Sequence, residues 1–381
     1  VRALPPALAD LLPALGIAAL VLALPPLGAA LGGVPLTELL HVPLTQRAWD
    51  PLGPNPSITR ISNGLALLLL ALGVAFARPR RRAARRVAPP VRGRVPRFAW
   101  LGVLALLLAV MAAEGGAVNA LIGLVTLSLA VFANADTERR TGNALLTRHR
   151  GYFWSLGAAS LAAGWLFEWL NLYLQLWTYP AATEPVPYML GRSLHYAALL
   201  PALLSLRQWL ASFPPLLGAV VRAKPLGAVG STPQEGWIIA LVAVLGLAGA
   251  ALWPDWIYPL TLSAPMLLAI AVQQIRGRAT PVAGIAAGDW SRILLPALAA
   301  LLLGLLAQVL NALLGPAWDV RLPLLGGPAL LGLPLPAWVW IGLLGPFGVW
   351  LGDQLAAPWR SKPQPPPRTR FPVRIEIGGG P

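Results

Sequence analysis

Glu168, Asn171 and Gln175 fall three, four and seven residues apart in GWLFEWLNLYLQLWTYP, a stretch that otherwise reads as apolar helix. Such spacings share one helix face, so Ser160, Gly164, Glu168, Asn171 and Gln175 make a single stripe. An ionised carboxylate deep in hydrocarbon costs about 2.5–3.5 kcal/mol on insertion scales. Glu168 must therefore meet a cation, hold a proton or face water. Partners are offered by YMLGRSLHYAALL, in which Arg192 and His195 return to the same depth from the same side. A Glu168–Arg192 pair would hold two helices in register. A Glu168–His195 pair would exchange a proton near neutrality. The stripe has a plainer reading as well: small residues at four-residue spacing let two helices approach, with polar groups bonding across the contact.

The pattern recurs. With Asn171 set against Asn311, Gly164 meets Gly304 and Glu168 meets Gln308, and after a one-residue insertion Trp177 meets Trp318. The second stripe reads Ala300, Gly304, Gln308, Asn311 and Gly315. Its acid has become an amide, and apolar LGLPLPAWVWIG stands where the Arg/His pair would fall. Polarity there moves to Asp319 and Arg321. Glu168, Asn171, Gln175, Arg192, His195, Gln308 and Asn311 are the candidate ligand-binding residues. Gly164, Trp177, Tyr179, Gly304 and Trp318 are the residues of a structural repeat. Trp165, Trp169, Tyr188, Trp338 and Trp340 complete an aromatic rim of the kind that gathers at membrane interfaces.

These motifs, FEWLNLYLQLWTYP and AQVLNALLGPAWDV with GDWSRILLPAL before the second, resemble an uncharacterised group of bacterial multi-spanning inner-membrane proteins. The resemblance covers spans three to ten, about residues 98–355, and rests on Glu168, Asn171, Trp177, Tyr179 and Asn311. Gln308 departs from it, since a Glu would be expected in the second copy too. It implies a membrane-embedded helical fold and no particular activity.

The elements that must position these residues follow from composition. The chain is 57% hydrophobic and 11% charged, with a mean hydropathy of +0.67, far from the ~25% charge of soluble domains. Apolar runs long enough to cross ~30 Å of hydrocarbon recur, and no ten-residue alternation signals a barrel. The reading is an all-α polytopic transmembrane bundle of about ten spans, near 12–31, 61–77, 98–113, 117–133, 152–177, 187–206, 237–253, 256–272, 290–314 and 335–355. The expected organisation is two helices and a basic loop (1–97), a first four-helix repeat (98–210), a linker (211–236), a second repeat (237–355) and a Pro-rich basic tail (356–381). An offset of four helices is even, so the two repeats would run parallel, related by an axis along the membrane normal.

Charge supplies an orientation. The net charge of +15 gathers in the block from Arg78 to Arg97, at Arg139, Arg140, Arg148 and Arg150, at Arg207, Arg222 and Lys224, at Arg276 and Arg278, and from Arg360 to Arg374. With ten crossings all of these share one side, which places both termini in the cytoplasm of a bacterial inner-membrane protein. The Arg78 to Arg97 block then touches anionic lipid headgroups rather than nucleic acid. The tail reads as disordered, or as a polyproline segment offered to a protein partner. Val1 is read as a GTG start or a truncated end, and the first span as a retained helix rather than a cleaved signal.

Several chemistries are excluded or unsupported. Without cysteine there is no disulfide or thiolate metal site, and three histidines (His41, His149 and His195) are too few and too scattered for a haem or metal centre. No P-loop, HExxH or GxSxG occurs in the right setting, and no cofactor is expected. Three functions remain open. The first is a transporter or ligand-binding membrane protein for a small molecule. The second is a non-catalytic scaffold or assembly subunit. The third is a lipid- or isoprenoid-modifying enzyme with Glu168 and His195 as acid and base.

Overall fold

The structure is a computed structural model that describes residues 6–76, 93–114, 117–182, 184–226, 232–278, 280, 282–315 and 317–356. Most of the Arg78 to Arg97 block, and the tail from Arg360 to Arg374, lie outside these residues. The chain opens with α1 (Pro6–Leu31), a single turn α2 (Leu36–Leu39) and α3 (Pro56–Phe76). There follow α4 (Ala99–Glu114), α5 (Val118–Thr141), the turn α6 (Leu145–Arg148), α7 (Arg150–Leu174), β1 (Trp177–Thr178), α8 (Pro185–Ala211) and α9 (Pro214–Val221). The remainder is α10 (Pro233–Ala248), α11 (Pro254–Ile275), a 3-10 turn (Ala283–Ala287), α12 (Ser291–Leu313), β2 (Asp319–Val320), β3 (Ala329–Leu330), β4 (Leu333–Pro334) and α13 (Leu335–Leu355).

Local chemistry sets many of these boundaries. Proline occupies the first turn of α8 to α11 and of α13, where its missing N–H costs nothing. Thr232 and Glu235 close a reciprocal capping box at the start of α10. Gly142 ends α5 with φ +68°, a left-handed cap that glycine takes without strain. Helix α5 runs eight residues past the expected end at Ala133, carrying Asp136, Glu138, Arg139 and Arg140 on its last turns.

Six helices are long and apolar enough to cross a membrane: α1 from Leu11, α3 as far as Ala75, α5, α11, α12 and α13. Apolar α4 and α10 are shorter. Helices α7 and α8, with 25 and 27 residues, have the length but are too polar to join the six. They are the two that carry Glu168, Arg192 and His195, and their polar groups are turned inward. Leucines of α3, α4 and α10, such as Leu67, Leu107 and Leu241, are more than half exposed. Water would not tolerate so continuous an apolar surface, whereas acyl chains would. Fold and surface together define a helical integral membrane protein.

Helix α4 packs on α5, α5 lies along α8, and α8 packs on α7; α10 pairs with α11, and α12 with α13. The two groups meet where α12 lies on α8 and α13 on α7, and again where α12 meets α5 and α11 meets α7. Close approach depends on glycine. A Cβ on Gly345 of α13 would stand 2.1 Å from the Pro296 carbonyl oxygen of α12, so only a residue without a side chain fits. On one face the chain is capped by the segment joining α1 to α3 and by the loops after α7 and α12.

Candidate functional site

Glu168 lies six residues before the end of α7, roughly 9 Å along the axis. The helix stops at Leu174 because Gln175 turns left-handed, with φ +50°. Gln175 is therefore not on the helical stripe, a difference from the sequence pattern. The turn is held in place: the Gln175 N–H donates to the Asn171 carbonyl at 2.7 Å, and its side-chain oxygen accepts the Ala48 N–H at 2.5 Å. Asn171 then clamps the chain that follows. Its amide oxygen accepts the N–H groups of Leu176 (2.9 Å) and Trp177 (3.1 Å), and its amide nitrogen donates to the Trp177 carbonyl (2.7 Å). The chain folds back, and residues 177–179 come to lie over Glu168.

The carboxylate is buried among donors. The hydroxyls of Tyr179 and Tyr196 both donate to Glu168 Oε1, and the Trp177 indole N–H stands 3.3 Å from each oxygen. Arg192 reaches Oε1 directly at 3.4 Å. Its tighter bonds, 2.6 and 3.0 Å, go to the Tyr196 hydroxyl, which thus links guanidinium to carboxylate. The guanidinium also lies over the rings of Tyr179 and Tyr196, 4.7 Å from each centroid, and 5.6 Å from Trp318. A buried ion pair is tolerated only when further hydrogen bonds satisfy its remaining lone pairs and protons. Here two tyrosines and an indole do so.

His195 does not pair with Glu168. It stands beside the arginine instead, with Nδ1 3.4 Å from Arg192 Nη1, and stacks on Tyr196 and Trp318 at 5.9 and 6.5 Å. The proton-exchanging Glu168–His195 pair, one of the two pairings the sequence offers, is not the one that forms. The inner part of the stripe does hold two helices together. Ser160 donates to the Tyr196 carbonyl (2.5 Å) and accepts the Leu200 N–H (2.9 Å), and Gly164 lies flat against the Tyr196 ring.

A cavity of about 720 Å³ opens beside this cluster, bounded by α3, α7, α8, α11, α12 and α13. Glu168, Arg192, His195, Tyr179, Trp177, Gln308 and Trp318 line it, and the rest of its wall is overwhelmingly apolar. Asn171, Gln175 and Asn311 do not line it. Asn311 repeats the clamp of Asn171, donating to the Trp318 carbonyl (3.0 Å) and accepting the Trp318 N–H (3.2 Å). Gly304 packs against Ile341 and Trp338 of α13.

The two clamped loops pair with each other. Strands β1 and β2 run antiparallel, Trp177 opposite Val320 and Thr178 opposite Asp319. Arg47, from the segment between α1 and α3, locks the junction: it donates to the carbonyls of Gln175 (2.9 Å) and Leu176 (3.0 Å) and to the Asp319 carboxylate (3.1 Å). Tyr196 and Arg47 are the residues that sequence reasoning missed. Tyr196 could have been found four residues after Arg192, on the same helix face. Arg47 stands in a loop that the charge pattern otherwise keeps poor in arginine, and that anomaly was its signal.

Among the described residues, no group of three or more His, Asp or Glu side chains could hold a metal ion. No family model matches the chain, and neither a curated protein nor a solved structure is similar to it.

Proposed function

We propose that this chain is a transporter or ligand-binding membrane protein that takes a small molecule into the cavity beside Glu168, Arg192 and His195. One observation carries the reading: the buried, fully partnered ion pair that joins α7 to α8 also borders a cavity. A pair that merely fastened two helices would need no 720 Å³ of space beside it, and cavities of ~300–1,000 Å³ with a few convergent polar groups are the usual form of a ligand site.

The reading includes about ten spans in two parallel four-helix repeats, in a bacterial inner membrane with both termini cytoplasmic. Three features support the duplication. Asn171 and Asn311 make the same clamp on Trp177 and Trp318. The contacts between the halves are reciprocal, α8 with α12 answering α13 with α7. Thr178 pairs with Asp319, its own counterpart in the alignment, as a two-fold axis through that pair would require. The orientation is supported by Arg139, Arg140, Arg148 and Arg222, which lie at helix ends away from the capped face.

The chain has no cysteine, so accessibility is directly testable. Gln308→Cys should react with N-ethylmaleimide in native membranes while Leu241→Cys, on the lipid-facing surface, does not. In proteoliposomes under a pH gradient, Glu168→Gln should alter the flux reported by an internal pH dye. Identical flux in mutant and wild type, together with an unreactive Gln308→Cys, would remove the site from function.

A further inference from the structure

We infer that the cavity takes an uncharged amphiphile, with a carbonyl or hydroxyl oxygen at its head and a long hydrocarbon chain behind it. The inference rests on the binding reading above and names the class of ligand. It starts from hydrogen-bond direction. Arginine only donates, so the contact between Arg192 Nη1 and His195 Nδ1 requires Nδ1 to accept. The proton of the neutral ring is then on Nε2. That nitrogen has no partner among the described residues and is not sealed within the protein, while its ring lines the cavity. The polar end therefore offers the ligand an imidazole N–H beside a guanidinium edge, and calls for an oxygen acceptor.

Charge decides which acceptor. The charged side chains lining the cavity among the described residues are Glu168, Asp255 and Arg192, two acids and one base. Arg192 is already committed to Glu168 through Tyr196. A carboxylate or phosphate head would bring a further negative charge into a low-dielectric site with no free cation to meet it, which desolvation opposes. A cationic head at the His195 end would meet the N–H donors and the guanidinium face on, Asp255 standing apart in the first turn of α11. A neutral ketone, ester or alcohol oxygen accepts from His195 Nε2 and leaves the charge balance untouched.

The remaining wall fits a chain. Leu65 and Leu69 of α3 line the cavity, as do Leu343 and Phe347 of α13. Helix α3 packs mainly on α13 and is otherwise bare to its surroundings. A hydrocarbon lying in this space meets the same apolar surface as a neighbouring acyl chain, so a ligand held here is drawn from the bilayer.

The test uses the full-length protein in nanodiscs and a series of probes with one chain length, brominated next to the head so that binding quenches Trp177 and Trp318. The heads are a methyl ketone, a carboxylate, a trimethylammonium and a plain alkane. The ketone should quench saturably and bind about tenfold tighter than the other three. His195→Phe should weaken the ketone about five- to tenfold and leave the alkane unchanged, with His195→Gln, which keeps an N–H donor, recovering much of the loss. Ala307→Phe, which fills the cavity beside Gln308, should abolish saturation. Tighter binding of the carboxylate or the ammonium overturns the ligand class and leaves the binding site standing. Non-saturable quenching by every probe, unchanged by Ala307→Phe, overturns both.

Discussion

The loop after α7 and the loop after α12 are built alike and do different work. Each follows a helix whose asparagine holds a tryptophan by two bonds, Asn171 adding a third to Leu176, and the two loops hydrogen-bond to each other. Below the first clamp lies the Glu168–Arg192 ion pair, hydrogen-bonded by the hydroxyls of Tyr179 and Tyr196. Below the second lies Gln308, facing the same cavity without a charge. The backbone device is shared and the charge is not. Turn geometry, and not the acid, is what both halves require, and the second half serves the first by lending Trp318 as a wall for Arg192 and His195.

The comparison is broken most severely by removing one member of the ion pair. Arg192→Leu should destabilise the solubilised protein by about 3–5 kcal/mol, because Glu168 is left as an uncompensated buried charge. Gln308→Leu should cost less than about 1 kcal/mol, and thermal unfolding in detergent measures both. A double variant, Glu168→Gln with Arg192→Leu, should regain part of the loss; no recovery would mean that Arg192 matters for packing alone. Next come the clamps. Asn171→Ala should cost about 3 kcal/mol for three bonds, and Asn311→Ala about 2 kcal/mol for two. Equal costs would show that the clamp on Leu176 contributes nothing. The smallest expected effect compares the glycines. A Cβ on Gly164 would fall 2.2 Å from the ring carbon Cγ of Tyr196, which its hydroxyl bonds hold in place, whereas on Gly304 it would fall 2.8 Å from a methyl of Ile341. Gly164→Ala should cost about 2 kcal/mol and Gly304→Ala under 1 kcal/mol, and only the first should disturb probe binding.

Much of this was legible beforehand, for identifiable reasons. Helical membrane character follows from apolar run length and the scarcity of charge, both local properties. Glu168 stood out because hydrocarbon penalises an unpartnered acid, and Arg192 because a returning helix brings it to the same depth. Gln175 was misplaced because the left-handed turn that ends α7 is held from outside, by Ala48 and Arg47, 127 and 128 residues away in sequence. Which of the two basic residues took the acid was equally invisible. Tyr196 settles it by standing between Arg192 and Glu168, and that depends on how close Gly164 lets α8 approach.

What the sequence determined by itself was the medium and the problem: a chain that must lie in lipid, with an acid it must satisfy and an asparagine followed by a tryptophan at two places, six and seven residues on. Hydropathy and periodicity are sums over neighbouring residues, so they survive without coordinates. Only the tertiary structure decided the solution, since hydrogen bonds act over about 3 Å and the groups that meet at Glu168 come from α7, α8 and a folded-back loop. The empty volume beside them is a still less local property. It belongs to six helices at once, and no single stretch of the chain encodes it.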